Sequence, residues 1–295
     1  DPTAINKCIR KILKMFNQTT YIGITATPFA NIFINPFDEQ GMINDDLFPR
    51  DFIYSLNVPD NYIGSDAIFD NEKSKVLVPI TPDDAPDVEF YFPKKHTINL
   101  QVDDLPKSLC EAMDYFLLAN AIRDLRGDFK THRTMLIHVS RFTNVHRQIY
   151  SLVNTRLYKI INDLRAYAAL PVSEVEKEST SIKNLHKVFD KYGLEKIGGV
   201  SWEKILRDNL RRAVEPVEVG LRNSTQEHSF SYEQNPDGLR VIAIGGNSFT
   251  RGLTLEGLCV TYFYRNSSAY DTLMQMGRWF GYRPNYEEIG RASCR

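Results

Sequence analysis

The sequence runs to 295 residues, of which 42% are hydrophobic, 25% charged and 12% aromatic; this is the balance of an ordinary folded protein and excludes disordered, collagen-like and coiled-coil chains. At roughly 150 residues per domain, that length predicts about two domains. Lys and Arg number 36 against 37 Asp and Glu, a net charge of -1, which excludes a globally basic nucleic-acid coat and leaves room for local patches.

Ile5, Cys8, Ile9, Ile12, Leu13 and Phe16 recur at helical spacing and predict an amphipathic helix over about 3–16. Tyr21-Ile22-Gly23-Ile24-Thr25 is a short apolar run without polar alternation, the pattern of a buried parallel strand, closed by Pro28. Between about 58 and 104 five prolines break the chain and Asp and Glu outnumber Lys, so this stretch reads as an acidic, Pro-rich insertion or linker. The sign then reverses: ten Lys and Arg from Lys107 to Arg165 stand against five acids, which makes this the half expected to meet a phosphate backbone. Helices are predicted over 109–125 and 144–168, a polar helical region over about 173–213, and buried strands at 135–139, 217–221, 240–244 and 259–263, with a last helix over 268–280. Strands alternating with helices predict an α/β protein with a mostly parallel sheet. Cys8, Cys110, Cys259 and Cys294 form no CxxC pair, so neither a zinc site nor a disulfide scaffold is indicated and a reducing, cytoplasmic location is expected. No apolar run approaches the roughly 20 residues that span a bilayer. The opening Asp1-Pro2, with no apolar leader, reads as an internal piece of a longer protein.

Three segments sit where strands end, the edge at which open α/β sheets bind ligands. The first, Gly23-Ile24-Thr25-Ala26-Thr27-Pro28-Phe29, carries the hydroxyls of Thr25 and Thr27, which either bridge to a neighbouring domain or satisfy the turn. The second follows the strand at 240–244: Gly245, Gly246, Gly252 and Gly257 fall within thirteen residues, a loop whose amides could approach an anion or simply a tight connection, with Arg251 favouring the former. The third, Gln275-Met276-Gly277-Arg278-Trp279-Phe280-Gly281-Tyr282-Arg283, places Gln275 and Arg278 on one helix face with Arg283 beyond its end. Arginine suits phosphate recognition because its planar fork stays charged; the alternative is arginines stacked on structural aromatics.

Together with Met135-Leu136-Ile137-His138-Val139-Ser140-Arg141-Phe142, these strings resemble motifs III to VI of superfamily-two helicase-like ATPases. The chain is most similar to the Z1 domain family of bacterial endonuclease-type proteins found in restriction and phage-defence gene sets. The resemblance implies RecA-like sheets: residues 1–57 as the end of a first domain, 58–104 as an insertion, 105–288 as a second domain with a helical insert near 171–213, and 289–295 as an appended tail. It implies ATP and Mg2+ as cofactors of the full protein, nucleotide contacts from Gly245, Gly246, Arg251, Gly252 and Thr254, and an arginine finger at Arg278 or Arg283 beside Gln275. Thr25, Thr27, Ser140, Arg141 and Thr250 would couple the nucleotide to bound DNA. Thr254 stands where the family of motors usually has Asp, so a carboxylate contact to ribose does not carry over. No G-x-x-x-x-G-K-[ST] occurs, nor a DExD-type acidic pair, since Asp38-Glu39 is followed by Gln40-Gly41, so these residues alone are expected not to hydrolyse ATP; the missing amino-terminal ATPase half is an implied partner, beside DNA and a nuclease, methyltransferase or GHKL-type ATPase.

Two other readings stay open. A nuclease would need a D/E-x-K triplet, and only Asp128-Phe129-Lys130 fits the loose form. A non-catalytic nucleic-acid-binding module would use the basic stretch with Phe129, Phe142, Tyr150 and Tyr158. His132, His138 and His146 lack metal-ligand spacing and are expected to be structural.

Overall fold

The structure is a computed structural model that describes residues 4–24, 51–57, 62–64, 77–222, 230–246, 255–264, 281–282 and 291–293. The chain divides into two units, Asp1–Asp60 and Asn61–Arg295. In the first, helix α1 (Ala4–Lys14) forms where the apolar spacing predicts it, with Lys11 and Lys14 in the last turn, where the free carbonyls favour cations. The strand expected over 21–25 is corrected by the structure: residues 21–24 form no strand, and Ile24 is 96% exposed. A four-residue apolar run holds the extended form only when a neighbouring strand takes up its N–H and C=O groups, and no described strand lies beside it.

The second unit opens with β1 (Tyr62–Ile63) and α2 (Ala85–Tyr91), then α3 (Lys107–Leu125), β2 (Arg133–His138) and α4 (Thr143–Tyr167). The expected helical region follows as α5 (Val172–Glu178), α6 (Thr180–Lys191), α7 (Leu194–Gly198) and α8 (Trp202–Lys204), which runs through a π-helical segment, Ile205–Leu210, into α9 (Arg211–Val214). Strands β3 (Val217–Arg222), β4 (Arg240–Gly245), β5 (Leu258–Phe263), β6 (Gly281–Tyr282) and β7 (Arg291–Ser293) complete the described elements. All four strands that the sequence predicts in this unit are present. They form one sheet in the order β3-β4-β2-β5, with the three-residue β7 outside β5, and every pair is parallel; β1 and β6 pair antiparallel apart from it. The helix expected over 268–280 lies outside the described residues. No described helix is long and apolar enough to cross a membrane.

Every residue of β2 and β5 is buried, which is why their sequences show apolar runs instead of alternation. Met135 and Ile137, Ile242 and Ile244, and Val260 and Tyr262 face the large core built with α3, α4 and α6. Leu136, Ala243 and Leu258 face the other way, against Leu255 and Phe230. A bulge shifts the β2–β5 register between Thr134 and Met135, so Cys259 and Val260 both reach the large core. The segment that reads as a linker contributes to this core, with Val88, Phe92 and Val102 all buried. The helical insert is equally integral: Ile182, Leu185, Phe189, Trp202 and Leu210 join the same cluster, and Asn209 in the π segment donates to Ala121 O of α3 at 2.7 Å.

At the amino-terminal edge of the sheet, Arg133 and Arg240 are register partners at the starts of β2 and β4. Both reach Asp124 in the last turn of α3: Arg133 Nη1 lies 2.7 Å from Oδ1, and Arg240 grips both carboxylate oxygens at 2.7 and 2.8 Å. Arg133 is completely buried and also donates to Asn120 O at 2.8 Å.

Candidate functional site at the carboxyl edge of the sheet

At the opposite edge, the chain leaves β2 through α4 toward β3, whereas the next strand of the same sheet after β5, namely β7, lies on the far side of β5. Neighbouring strands whose connections depart in opposite directions leave a crevice between their carboxyl ends, the position where open α/β sheets hold ligands. A pocket of about 490 Å³ lies there, lined by Val139 to Phe142 after β2, by Phe263 and Tyr264 at the end of β5, and by residues 92–97, within the roughly 300–1,000 Å³ range of ligand sites.

Ser140 organises this region. Its hydroxyl accepts from the amide of Phe142 at 3.1 Å, closing the turn into α4, and lies 2.8 Å from His96 Nε2. His96 Nδ1 donates to Pro93 O at 2.6 Å, which in the neutral ring leaves Nε2 to accept the serine proton. The carbonyl of Ser140 accepts from His146 Nε2 at 2.9 Å. Gly246, just past β4, packs onto the same group: a Cβ there would lie 3.0 Å from His146 Cε1 and 3.3 Å from Ser140 O. The expected coupling residue Ser140 and the expected nucleotide-contacting residue Gly246 are thus brought together, and close packing is itself sufficient reason for glycine at 246. Gly245 is the last residue of β4, in register with Arg222. Arg141 is exposed at the pocket mouth, its guanidinium 4.8 Å above the Phe142 ring.

Thr25, Thr27, Thr250, Arg251, Gly252, Thr254, Gln275, Arg278 and Arg283 lie outside the described residues. Gly257 is described and belongs elsewhere: it precedes β5 at the amino-terminal edge, with φ +62, its Cα facing His132 O. The three histidines do structural work. His132 Nδ1 accepts from Leu239 N at 3.0 Å, His146 holds the Ser140 carbonyl, and His138 is buried and stacked on Phe263.

The basic stretch from Lys107 to Arg165 is largely committed within the chain. Arg123 pairs with Asp128, Arg133 with Asp124, Arg156 with Asp114 and Arg165 with Glu215. Asp128 therefore serves as the acceptor for Arg123 Nε at 2.8 Å and Thr131 Oγ1 at 2.7 Å, and these bonds hold its carboxyl below the usual carboxylate range against the opposing effect of partial burial. Asp114 behaves oppositely: burial pushes its carboxyl up to about 6 despite the Arg156 guanidinium at 2.7 Å.

Residues 92–97 are the part of the site that the sequence reading assigned to a linker. The signal was present as Lys94-Lys95-His96, a basic island inside an acidic stretch.

A family model, the Z1 domain, matches residues 108–292, more than half of the chain. The chain belongs to the Z1 domain family. The match begins one residue into α3 and runs through the whole parallel sheet to β7, so the Z1 domain contains Ser140, Arg141 and Gly246, while the 92–97 wall of the pocket precedes the matched region. Comparison with curated proteins and with solved structures gave no match.

Proposed function

We propose that this chain is the motif-bearing part of an ATP-dependent, DNA-acting helicase-like motor with RecA-like domains, serving restriction or phage defence in the cytoplasm. The observation that carries the reading is the meeting of two sequence motifs at the carboxyl edge of a parallel sheet: Ser140 and Arg141 from the end of β2, and Gly245-Gly246 from the end of β4, joined through His146. On this reading the segment after β2 would meet nucleic acid and the segment after β4 the nucleotide, and the closeness of Gly246 to Ser140 and His146, which leaves little room for a side chain, supports a coupling between the two. Bound ATP with Mg2+ would supply the phosphoryl group whose loss drives the cycle. Arg251, Gly252 and Thr254 would hold it together with the loop amides, with Arg278 as the finger on the developing charge, Arg283 second and Gln275 beside them. These 295 residues contain no P-loop string and no DExD-type acidic pair, so on this reading the lysine and the metal-binding acid that the chemistry requires would come from the amino-terminal ATPase half.

Arg278→Ala in the complete protein is the test. An arginine finger is worth on the order of 10³ to 10⁵ in rate, so DNA-stimulated ATP hydrolysis should fall to background while the thermal transition stays in place. Turnover retained within tenfold of the parent would remove the assignment. The nuclease reading finds less support, because the Asp128 carboxylate of its one candidate triplet is taken by Arg123 and Thr131.

A further inference from the structure

We propose that the pocket between β2 and β5 holds one nucleotide of a single-stranded nucleic acid, and that residues 92–97 supply half of its grip. The inference rests on the motor reading above and adds to it a second strand-binding segment outside the motifs.

The rim of the pocket carries Lys94, Lys95 and Arg141, all exposed. Among the described residues none of the three is paired with a carboxylate, in contrast to Arg123, Arg133, Arg156 and Arg165, and no described acidic residue lines the pocket. Three unneutralised cations around one concave mouth select an anion. The interior selects what the anion is attached to. Phe142, half-buried, forms one wall, and the buried Phe263 and Tyr264 form the floor beside the Ser140–His96 pair. A small inorganic anion has no use for an aromatic wall, whereas a nucleotide has a flat base to stack and sugar oxygens to meet a hydroxyl and an imidazole. The location agrees, because a strand crossing the carboxyl edge of the sheet passes the mouth. The two hydrogen bonds of His96, from Nδ1 to Pro93 O and between Nε2 and Ser140 Oγ, tie the lysine-bearing segment to the turn after β2, so the two cationic walls are held at a set spacing before any ligand arrives.

Fluorescence anisotropy of a labelled short oligothymidylate, titrated with the 295-residue chain over a range of salt concentrations, reads the proposal. Lys94→Ala/Lys95→Ala should weaken binding at least about tenfold and flatten the slope of log K against log salt by about 1.4, two contacts at roughly 0.7 each for single strands. Lys94→Glu/Lys95→Glu should weaken it further. Because both side chains are exposed, the melting temperature of either variant should match the parent, which separates lost contact from lost fold. An abasic oligomer of equal length should bind more weakly than oligothymidylate, and inorganic phosphate at equal phosphate concentration should compete poorly. Binding by the parent that both double variants retain overturns this inference and leaves the motor reading standing. Inorganic phosphate competing as well as the oligomer overturns it in favour of a small-anion site. Failure of the parent to bind the oligomer at low salt overturns the motor reading together with it.

Discussion

Replacing Asp124 with Asn removes one charge from a site that holds two guanidinium groups. Arg133 is completely buried and Arg240 nearly so, and both lie 2.7 Å from Asp124. At a charge separation of about 4 Å and an effective dielectric of about 20, each attraction is worth about 4 kcal/mol. The two arginines repel one another, and their desolvation is already spent in the folded state, so the measurable loss is that of breaking a buried pair, about 3–5 kcal/mol. For a unit of this size a loss of that order lowers the melting temperature by roughly 6–20 °C. Thermal unfolding followed by circular dichroism at low and high salt tests this. The loss should persist at about 1 M salt, because buried charges are screened far less than exposed ones. In Arg133→Met the further Asp124→Asn change should cost less than it does in the parent, since one of the stranded cations is gone. A loss below about 1 kcal/mol, or one that vanishes in salt, would show that the network is solvated and that the argument from burial is wrong.

Two further outcomes follow from individual residues. Gly257→Ala should cost about 2–5 kcal/mol, combining the penalty of left-handed φ with displacement of backbone, because a Cβ at 257 would stand 1.7 Å from His132 O. Gly127→Ala, also at positive φ but with nothing within 4 Å, should cost only about 1–2 kcal/mol, and equal losses in chemical denaturation would refute the steric account. Asp114, raised from 3.8 to about 6, binds its proton more tightly in the folded state. Its contribution to stability is therefore fullest below about pH 4, declines as pH rises toward 6, and is spent above that. The parent should lose about 2 kcal/mol relative to Asp114→Asn between about pH 4.5 and pH 7, and parallel stability curves for the two proteins would refute this.

The strands of the sheet were legible because their burial on both faces leaves apolar runs such as Met135 to Ile137, and the long helices α3 and α4 because a helical pattern is sustained in their sequences over several turns. The residues that fill the site were only partly legible. Ser140, Arg141 and Gly246 stood out as motif residues, but their meeting depends on β4 lying beside β2, a pairing of strands more than 100 residues apart. The basic stretch misled for a related reason: a count of charges does not reveal that Arg156 finds Asp114 forty-two residues away. Residues 21–24 show the reverse failure, since an apolar run specifies a strand only in the company of another strand. Composition likewise concealed residues 92–97, whose acidic neighbours suggested a solvated linker while Phe92 was anchoring the segment in the core.

Ser140 bears three demands at once. Its hydroxyl starts α4 and takes hold of His96, its carbonyl takes hold of His146, and its backbone leaves no slack beside Gly246. These ties join segments that are 44 residues apart on one side and about a hundred on the other. The serine thus works as the pin of a joint. A shift at 92–97 would load the turn after β2 through His96, and that turn lies beside Gly246, where little room is left for even a Cβ.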